Sequence, residues 1–494
     1  MIPGKDVANF HCYAQTMNHF RETEQALYRA TDYADWYAAA TELDRLEGRD
    51  NWRLEKESDL YDYRLLDSRV RILRRLRRQK DYDRLMFRLR EELHGNLGNM
   101  ANPALYREAH GGTKKLINDY LDEVCAALDL LTDSDVQQLT PIRKRRFLKR
   151  AARSFGRSAL LLSGGASFGL FHIGVIEELQ AEGLLPRVIT GSSAGAIMAG
   201  ILATHTDEEL REMLDPEYID FEWCSVFRPF QLAKGESMLD QKVLRRFIER
   251  NIPPITFLEA YQHTNRILNI SVSPADSHQF PRLLNYLTAP NVLIRWAALA
   301  SAAIPGLYPA VQLRAKNFAG KSVAYMPQNR WIDGSVHDDI PKYKVNRLHN
   351  INHYIVSQTN PHVVPFLSEE IEETGLLPFL QDVIIKAPMV QIEHILELVQ
   401  QHFEIPGVGA MLKKAHAMAR QNYSGDITIY PEKRVMKLAK MFENLGREDV
   451  YNLVMAGRRA TWPKIEQIRN TTQISRTFDD CLRRMSERYR YVER

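Results

Sequence analysis

Ser158-Ala159-Leu160-Leu161-Leu162-Ser163-Gly164-Gly165-Ala166-Ser167-Phe168-Gly169 decides how this chain reads. Its first half is a short apolar run of the kind that fills a buried strand, and its second half is a glycine turn. A helical pattern follows from about Gly169 to Glu182. A second apolar run, Val188-Ile189-Thr190, ends in Gly191-Ser192-Ser193-Ala194-Gly195, and another helical pattern begins. Strand, glycine turn, helix, strand, glycine turn, helix is a βαβ unit, for which roughly 30 residues suffice. Further strands are expected at Arg266 to Val272, Val323 to Trp331 and Tyr354 to Ser357, with Ile427-Thr428-Ile429-Tyr430 returning to the same sheet. The central block is α/β with a largely parallel sheet.

Upstream, from Asn18 to about Leu131, the chain is rich in Leu, Arg, Glu, Tyr and Ala and poor in β-branched runs, so it reads as successive helices. Leu65, Leu66, Val70, Leu73 and Leu76 recur at three- and four-residue steps with arginines between them, an amphipathic pattern. Pro141 and the basic run after it read as a connector. Downstream of Pro365 the pattern is again helical, with Ile392, Ile395, Leu396 and Val399 on one face. These shifts divide the chain into residues 1–155, 156–365 and 366–494, as expected of a length too great for one core.

Composition narrows the class. With 45% hydrophobic and 26% charged residues, the chain has the make-up of a globular protein. It has no apolar stretch of the roughly 18 residues that would cross a bilayer, and its start lacks a secretory pattern. Cys12, Cys125, Cys224 and Cys481 lack CxxC spacing and read as free thiols of a reducing compartment, which points to the cytoplasm. Residues 61–90 hold eleven Arg or Lys against four Asp, and residues 141–157 add eight basic residues with no acid. Such runs either attract phosphate-bearing surfaces or form a solvated helix face. No zinc-finger or RNP-type pattern supports nucleic acid as a partner.

Two segments fit the nucleophile pattern G-x-S-x-G: Gly165-Ala166-Ser167-Phe168-Gly169 and Gly191-Ser192-Ser193-Ala194-Gly195. The turn from strand to helix is sharp, so the flanking positions must be small, and the serine then sits where helix N–H groups favour negative charge. Ser193 is preferred over Ser167, because an earlier glycine turn, Gly164-Gly165-Ala166, is then available to donate N–H groups to an oxyanion. The spacing of Gly164, Gly165 and Gly169 is wrong for a dinucleotide loop, Gly320-Lys321-Ser322 lacks the first glycine of a P-loop, and no H-E-x-x-H occurs. Asp333-Gly334 follows Arg330-Trp331-Ile332 and puts a carboxylate at a strand end, where it could serve as base. As a bare dipeptide, Asp-Gly is more often an ordinary turn. A triad would call on His337, His353 or His362, and residue chemistry alone leaves dyad and triad open. Phe221, Trp223, Phe227 and Phe230 fit an acyl rim or, more simply, a core cluster. Ala298 to Ile304 reads as a tightly packed helix near the site.

Leu162 to Gly169, Gly191 to Gly195 and Asp333-Gly334-Ser335 together resemble the patatin-like phospholipase family. The resemblance extends through Gly111-Gly112-Thr113-Lys114-Lys115-Leu116-Ile117, Ala300 to Pro305, Asn360 to Pro365 and Ala460-Thr461-Trp462-Pro463-Lys464 to the branch of lipid-droplet triacylglycerol lipases and their bacterial relatives. It implies a patatin-like three-layer α/β/α domain flanked by N- and C-terminal helical regions. It implies a Ser193–Asp333 dyad without histidine, an oxyanion loop of Gly164, Gly165 and Ala166, and no cofactor or metal. Acylglycerol or phospholipid is the implied substrate, met at a membrane or lipid-droplet surface by a peripheral, cytoplasmic protein. One departure stands out: the family's loop has a third glycine and a cation where this chain has Ala166 and Phe168. An acyltransferase using the same acyl-enzyme and a non-catalytic lipid-surface protein are the alternatives. The H-x-x-x-x-D motif of acyl-transferring relatives is absent, since no histidine has an aspartate five positions on.

Overall fold

Every residue of strand β1 (Arg157–Leu162) from Ala159 onward is buried, and its two faces feed different cores. Leu160 and Leu162 join a large cluster with Phe171, Val175 and Ala196; Ala159 and Leu161 join a smaller one with Val345, Ile351 and Val356. Side chains alternate across a strand, so a strand apolar throughout must be covered on both faces. The result is the expected three-layer α/β/α arrangement.

The computed structural model describes residues 5–213, 239–275, 280–361, 363–364, 424–432, 435–436 and 440–489, with side chains from residue 17 onward, that of His337 excepted. The aromatic residues between Phe221 and Phe230, the stripe from Ile392 to Val399, and His362 lie outside them.

The chain opens with helices α1 (Lys5–Arg29), α2 (Tyr33–Leu46), α3 (Arg49–Leu54), α4 (Tyr63–Gln79), α5 (Tyr82–Glu91), α6 (Lys115–Asp133) and α7 (Pro141–Phe155). In α4 the buried residues are Leu66, Val70, Leu73 and Leu76, as the spacing predicts. The connector expected at 141–157 is instead α7. Thr140 caps it, Pro141 occupies its first turn, and Phe147, Leu148, Ala151 and Phe155 bury one face. Proline at a helix start is permissive because the N–H it lacks would go unpaired there. Of the basic run, Lys144 is buried and donates to Thr132 O and Ser134 O at the end of α6. On the other basic run, Arg74 and Arg77 pair with Glu123.

After β1 come α8 (Phe171–Ala181), β2 (Val188–Gly191), α9 (Ala194–Thr204), α10 (Asp207–Met213), α11 (Gln241–Asn251) and α12 (Phe257–Thr264). Then follow β3 (Ile267–Pro274), β4 (Arg282–Leu284), α13 (Ile294–Ser301), β5 (Arg314–Lys316), β6 (Ser322–Ala324), β7 (Trp331–Asp333), α14 (Ser335–Asp338), α15 (Lys342–His349) and β8 (Ile351–Ser357). Past residue 424 lie β9 (Ile427–Ile429), α16 (Arg447–Thr461) and α17 (Ile465–Arg488). The strand expected over Val323 to Trp331 is two pieces. Met326 adopts φ +47° and Pro327 follows it, so the chain turns between β6, which pairs with β5 away from the main sheet, and β7.

The main sheet runs β4-β3-β2-β1-β8-β9, with β1, β2, β3, β8 and β9 parallel. Val272 of β3 pairs with Arg282 on one edge and Asp333 on the other. Since β4 holds one edge of β3, β7 must share the other with β2. There β2 ends at Gly191 opposite Ile270, and antiparallel β7 ends at Asp333 opposite Val272, two residues further along. The second glycine turn and the Asp-Gly turn therefore meet at one point. Helix α17 returns Ile474, Phe478 and Met485 to the core that α4, α6 and α7 build.

Candidate active site

Ser193 is the residue at which β2 turns into α9, and it holds φ +53° and ψ −124°. Such a backbone costs a non-glycine residue about 1–3 kcal/mol. A Cβ on Gly195 would stand 2.2 Å from the Leu162 carbonyl oxygen, and one on Gly191 2.2 Å from that of Gly195. The small flanks of G-x-S-x-G are thus a steric demand. Ser193 precedes the first turn of α9, whose positive end favours an anion beside it.

Asp333 is fully buried. Its Oδ1 accepts the N–H of Ser335 at 2.8 Å and the Ser335 hydroxyl at 2.7 Å. Its Oδ2 has no hydrogen bond of ordinary geometry among the described residues. Burial pushes the carboxyl up to about 6, opposed by the Ser193 hydroxyl and by the hydroxyl and N–H of Ser335. The Ser193 hydroxyl thus neighbours the carboxylate, although no hydrogen bond of ordinary geometry joins the two; catalytic hydrogen bonds are often long until substrate binds. An apolar cavity adjoins Ser193, lined by Leu170, Ile197, Met198, Leu244, Phe247, Ala302, Ile304 and Tyr308 among others.

The first glycine turn lies against this pair. A Cβ on Gly164 would stand 3.1 Å from the Ser193 Cβ. The Gly164 N–H, however, donates to Asp339 Oδ1 at 2.9 Å, so it is committed elsewhere. The N–H groups of Gly165 and Ala166 have no acceptor among the described residues. Ala166 sits at φ +49°. That is the position at which the family's loop carries its third glycine, and here alanine bears the strain. Thr359 fastens the turn by donating its hydroxyl to Gly164 O at 3.1 Å and its N–H to Ser163 Oγ at 2.8 Å.

Ser167 stands apart from any base. Its hydroxyl lies 2.9 Å from both Met441 O and Glu443 O. His353 is at the opposite end of the sheet, where its Nδ1 meets Ser158 Oγ at 3.0 Å near the start of β1. His172 is fully buried beneath the glycine turn against Ser357 Oγ, Ser163 O and Thr359 Oγ1, and burial pushes it down to about 4. The one grouping of possible metal ligands among the described residues is Asp44, Glu47 and His110. Asp44 there already serves Arg53 and the N–H groups of His110 and Gly111.

Sequence reasoning missed Ser301, whose Oγ accepts the Ser193 N–H at 3.0 Å and donates to Ser271 O at 2.7 Å. A lone hydroxyl within Ala300-Ser301-Ala302-Ala303 was the available signal, since buried hydroxyls find partners. Asp339 and Thr359 gave none.

With this geometry in view, residues 160–342 match the patatin-like phospholipase family, and residues 13–153 match a domain of unknown function, DUF3336. The chain belongs to the patatin-like phospholipase family. It is 35% identical to triacylglycerol lipase ptl3 of Schizosaccharomyces pombe, over 89% of this chain and 93% of that one. It is 37% identical to triacylglycerol lipase 4 of Saccharomyces cerevisiae and 33% identical to triacylglycerol lipase SDP1L of Arabidopsis thaliana, over 89% and 92% of this chain. The match spans 50% of the Saccharomyces lipase and 57% of the Arabidopsis one.

Proposed function

We propose that this protein hydrolyses lipid carboxylic esters, acylglycerols or phospholipids, through an acyl-enzyme on Ser193. As Ser193 Oγ attacks the ester carbonyl, Asp333 accepts its proton. The oxyanion so formed takes the N–H groups of Gly165 and Ala166, with Gly164 as the close-packed spacer. Collapse breaks the ester C–O bond, and the leaving alkoxide takes the proton from Asp333. Water then attacks the acyl-enzyme by the same route, giving a fatty acid and restoring Ser193. The apolar cavity beside Ser193 suits the acyl chain.

The observation that carries this reading is the buried Asp333 carboxylate, with Oδ2 uncommitted, next to a strained serine at a helix start. The names of the relatives, triacylglycerol lipases, support the substrate class. Such substrates gather in surfaces, so peripheral contact with a membrane or droplet is part of the proposal. Among the described residues no helix is long and apolar enough to cross a membrane. The test pairs fluorophosphonate labelling with fatty-acid release from triolein emulsions and phosphatidylcholine vesicles. Wild type should label and release, and Ser193→Ala and Asp333→Asn should do neither. Added lysophospholipid capturing the acyl group in place of water would mark a transferase, and a wild-type protein that neither labels nor releases would be a binding protein.

A further inference from the structure

Ser167 fits the nucleophile pattern, yet the reaction above gives it no task. It directly follows Ala166, whose left-handed backbone carries one of the two uncommitted N–H groups. That conformation costs an alanine about 1–2 kcal/mol, so contacts elsewhere must hold it. Thr359 holds the side of the turn before Ala166, and the side after it is held from the far end of the chain. The Ser167 N–H donates to Met441 O at 3.2 Å, and its hydroxyl is shared between Met441 O and Glu443 O, 2.9 Å from each. Ser167 is 2% exposed, so water does not compete for these bonds.

The segment that grips Ser167 is itself anchored. It leads directly into α16, which crosses α8, the helix that follows the turn, at very close range. A Cβ on Gly174 of α8 would stand 1.9 Å from Val454 O. Arg458 of α16 pairs with buried Glu178 of α8 at 2.6 Å. The turn is thus clamped between its own helix and a segment about 100 residues beyond the end of the family match at residue 342.

We propose that Ser167 is a positioning residue for ester hydrolysis: the grip of Met441–Glu443 on it aims the Gly165 and Ala166 N–H groups at the oxyanion. This rests on the Ser193 reading. The oxyanion hole is then completed by the C-terminal region, which binds Ser167 through main-chain carbonyls and so requires a hydroxyl at 167, not a particular side chain at 441 or 443.

The test uses the full chain and soluble p-nitrophenyl butyrate, with an alkyl trifluoromethyl ketone as transition-state probe. A displacement of about 1 Å in catalytic geometry can cost about a hundredfold. Ser167→Ala should lower kcat by roughly tenfold to a hundredfold with KM within about twofold, and weaken the ketone in parallel. Ser167→Cys, a poorer donor of similar size, should fall between. Should the alanine variant fail to fold, the cysteine variant decides. Wild-type kcat and ketone affinity in a folded variant overturn the proposal, as does a loss confined to KM. A Ser193→Ala control that still hydrolyses the ester would instead overturn the underlying reading.

Discussion

The Ser193 N–H donates to Ser301 Oγ at 3.0 Å, and the Ser301 hydroxyl passes its own proton toward Ser271 O at 2.7 Å. One buried hydroxyl therefore ties the proposed nucleophile's backbone to β3. Ser301→Ala removes the acceptor of the buried Ser193 N–H and one donor to Ser271 O, for about 1–3 kcal/mol. The strained φ of Ser193 then loses a restraint. The expected outcome is a lower unfolding midpoint in denaturant together with slower fluorophosphonate labelling of Ser193. Unchanged labelling in a destabilised variant would show that the elbow holds its shape without this bond.

Asp333 supplies a pH signature. Burial pushes its carboxyl up to about 6, and it accepts a proton only when ionised. Hydrolysis should therefore rise as pH climbs through about 6 and level off above it. The acidic limb should disappear with activity in Asp333→Asn and persist in His337→Ala. A limb abolished by the histidine change, with an active Asp333→Asn enzyme, would replace the dyad by a triad.

Much of this arrangement was legible in the residues. The apolar run at Leu160 to Leu162 and the two glycine turns specify buried parallel strands meeting helix starts, because few other backbones tolerate that pattern. Asp333 was legible as a strand-end carboxylate, but its meeting with Ser193 was not: it follows from β7 taking the edge of β3 that β2 vacates. The segment at 141–157 misled because a proline that opens a helix looks, in one dimension, like one that breaks a chain. Val323 to Trp331 misled because the apolar residues at its two ends read as one strand, although Pro327-Gln328-Asn329 between them marks the break beside the left-handed turn at Met326. The commitment of the Gly164 N–H to Asp339 was invisible for a simpler reason. The two lie 175 positions apart, and nothing local to either announces the bond.

Within the N-terminal helices, Asp44 makes a separate prediction. It is fully buried, pairs with Arg53, and accepts the N–H groups of His110 at 2.8 Å and Gly111 at 2.9 Å. Removing one partner from a buried pair costs about 3–5 kcal/mol. Asp44→Ala should lower thermal stability strongly, while the folded fraction labels at Ser193 as wild type does. Little change in melting would mean that Arg53 and the Gly111 turn find replacement partners.

Asp339 separates geometry from charge. Burial pushes its carboxyl up to about 7, and the neighbouring Asp333 charge adds to the effect. A carboxyl of about 3.9 in the unfolded chain binds fewer protons there than in the folded protein, so stability falls as pH rises between the two values. Below about 4 both states are protonated and the site costs nothing; above about 7 the full penalty applies. Asp339→Asn removes the buried charge, and its side-chain oxygen can still accept the Gly164 N–H. It should raise the melting temperature at pH 8 by several degrees, change it little at pH 4, and keep most of the activity. Asp339→Leu also removes the charge but leaves the Gly164 N–H without its acceptor, so it should lose activity at every pH. Equal activity in the two variants would show that the bond to Gly164 does not hold the glycine turn in place.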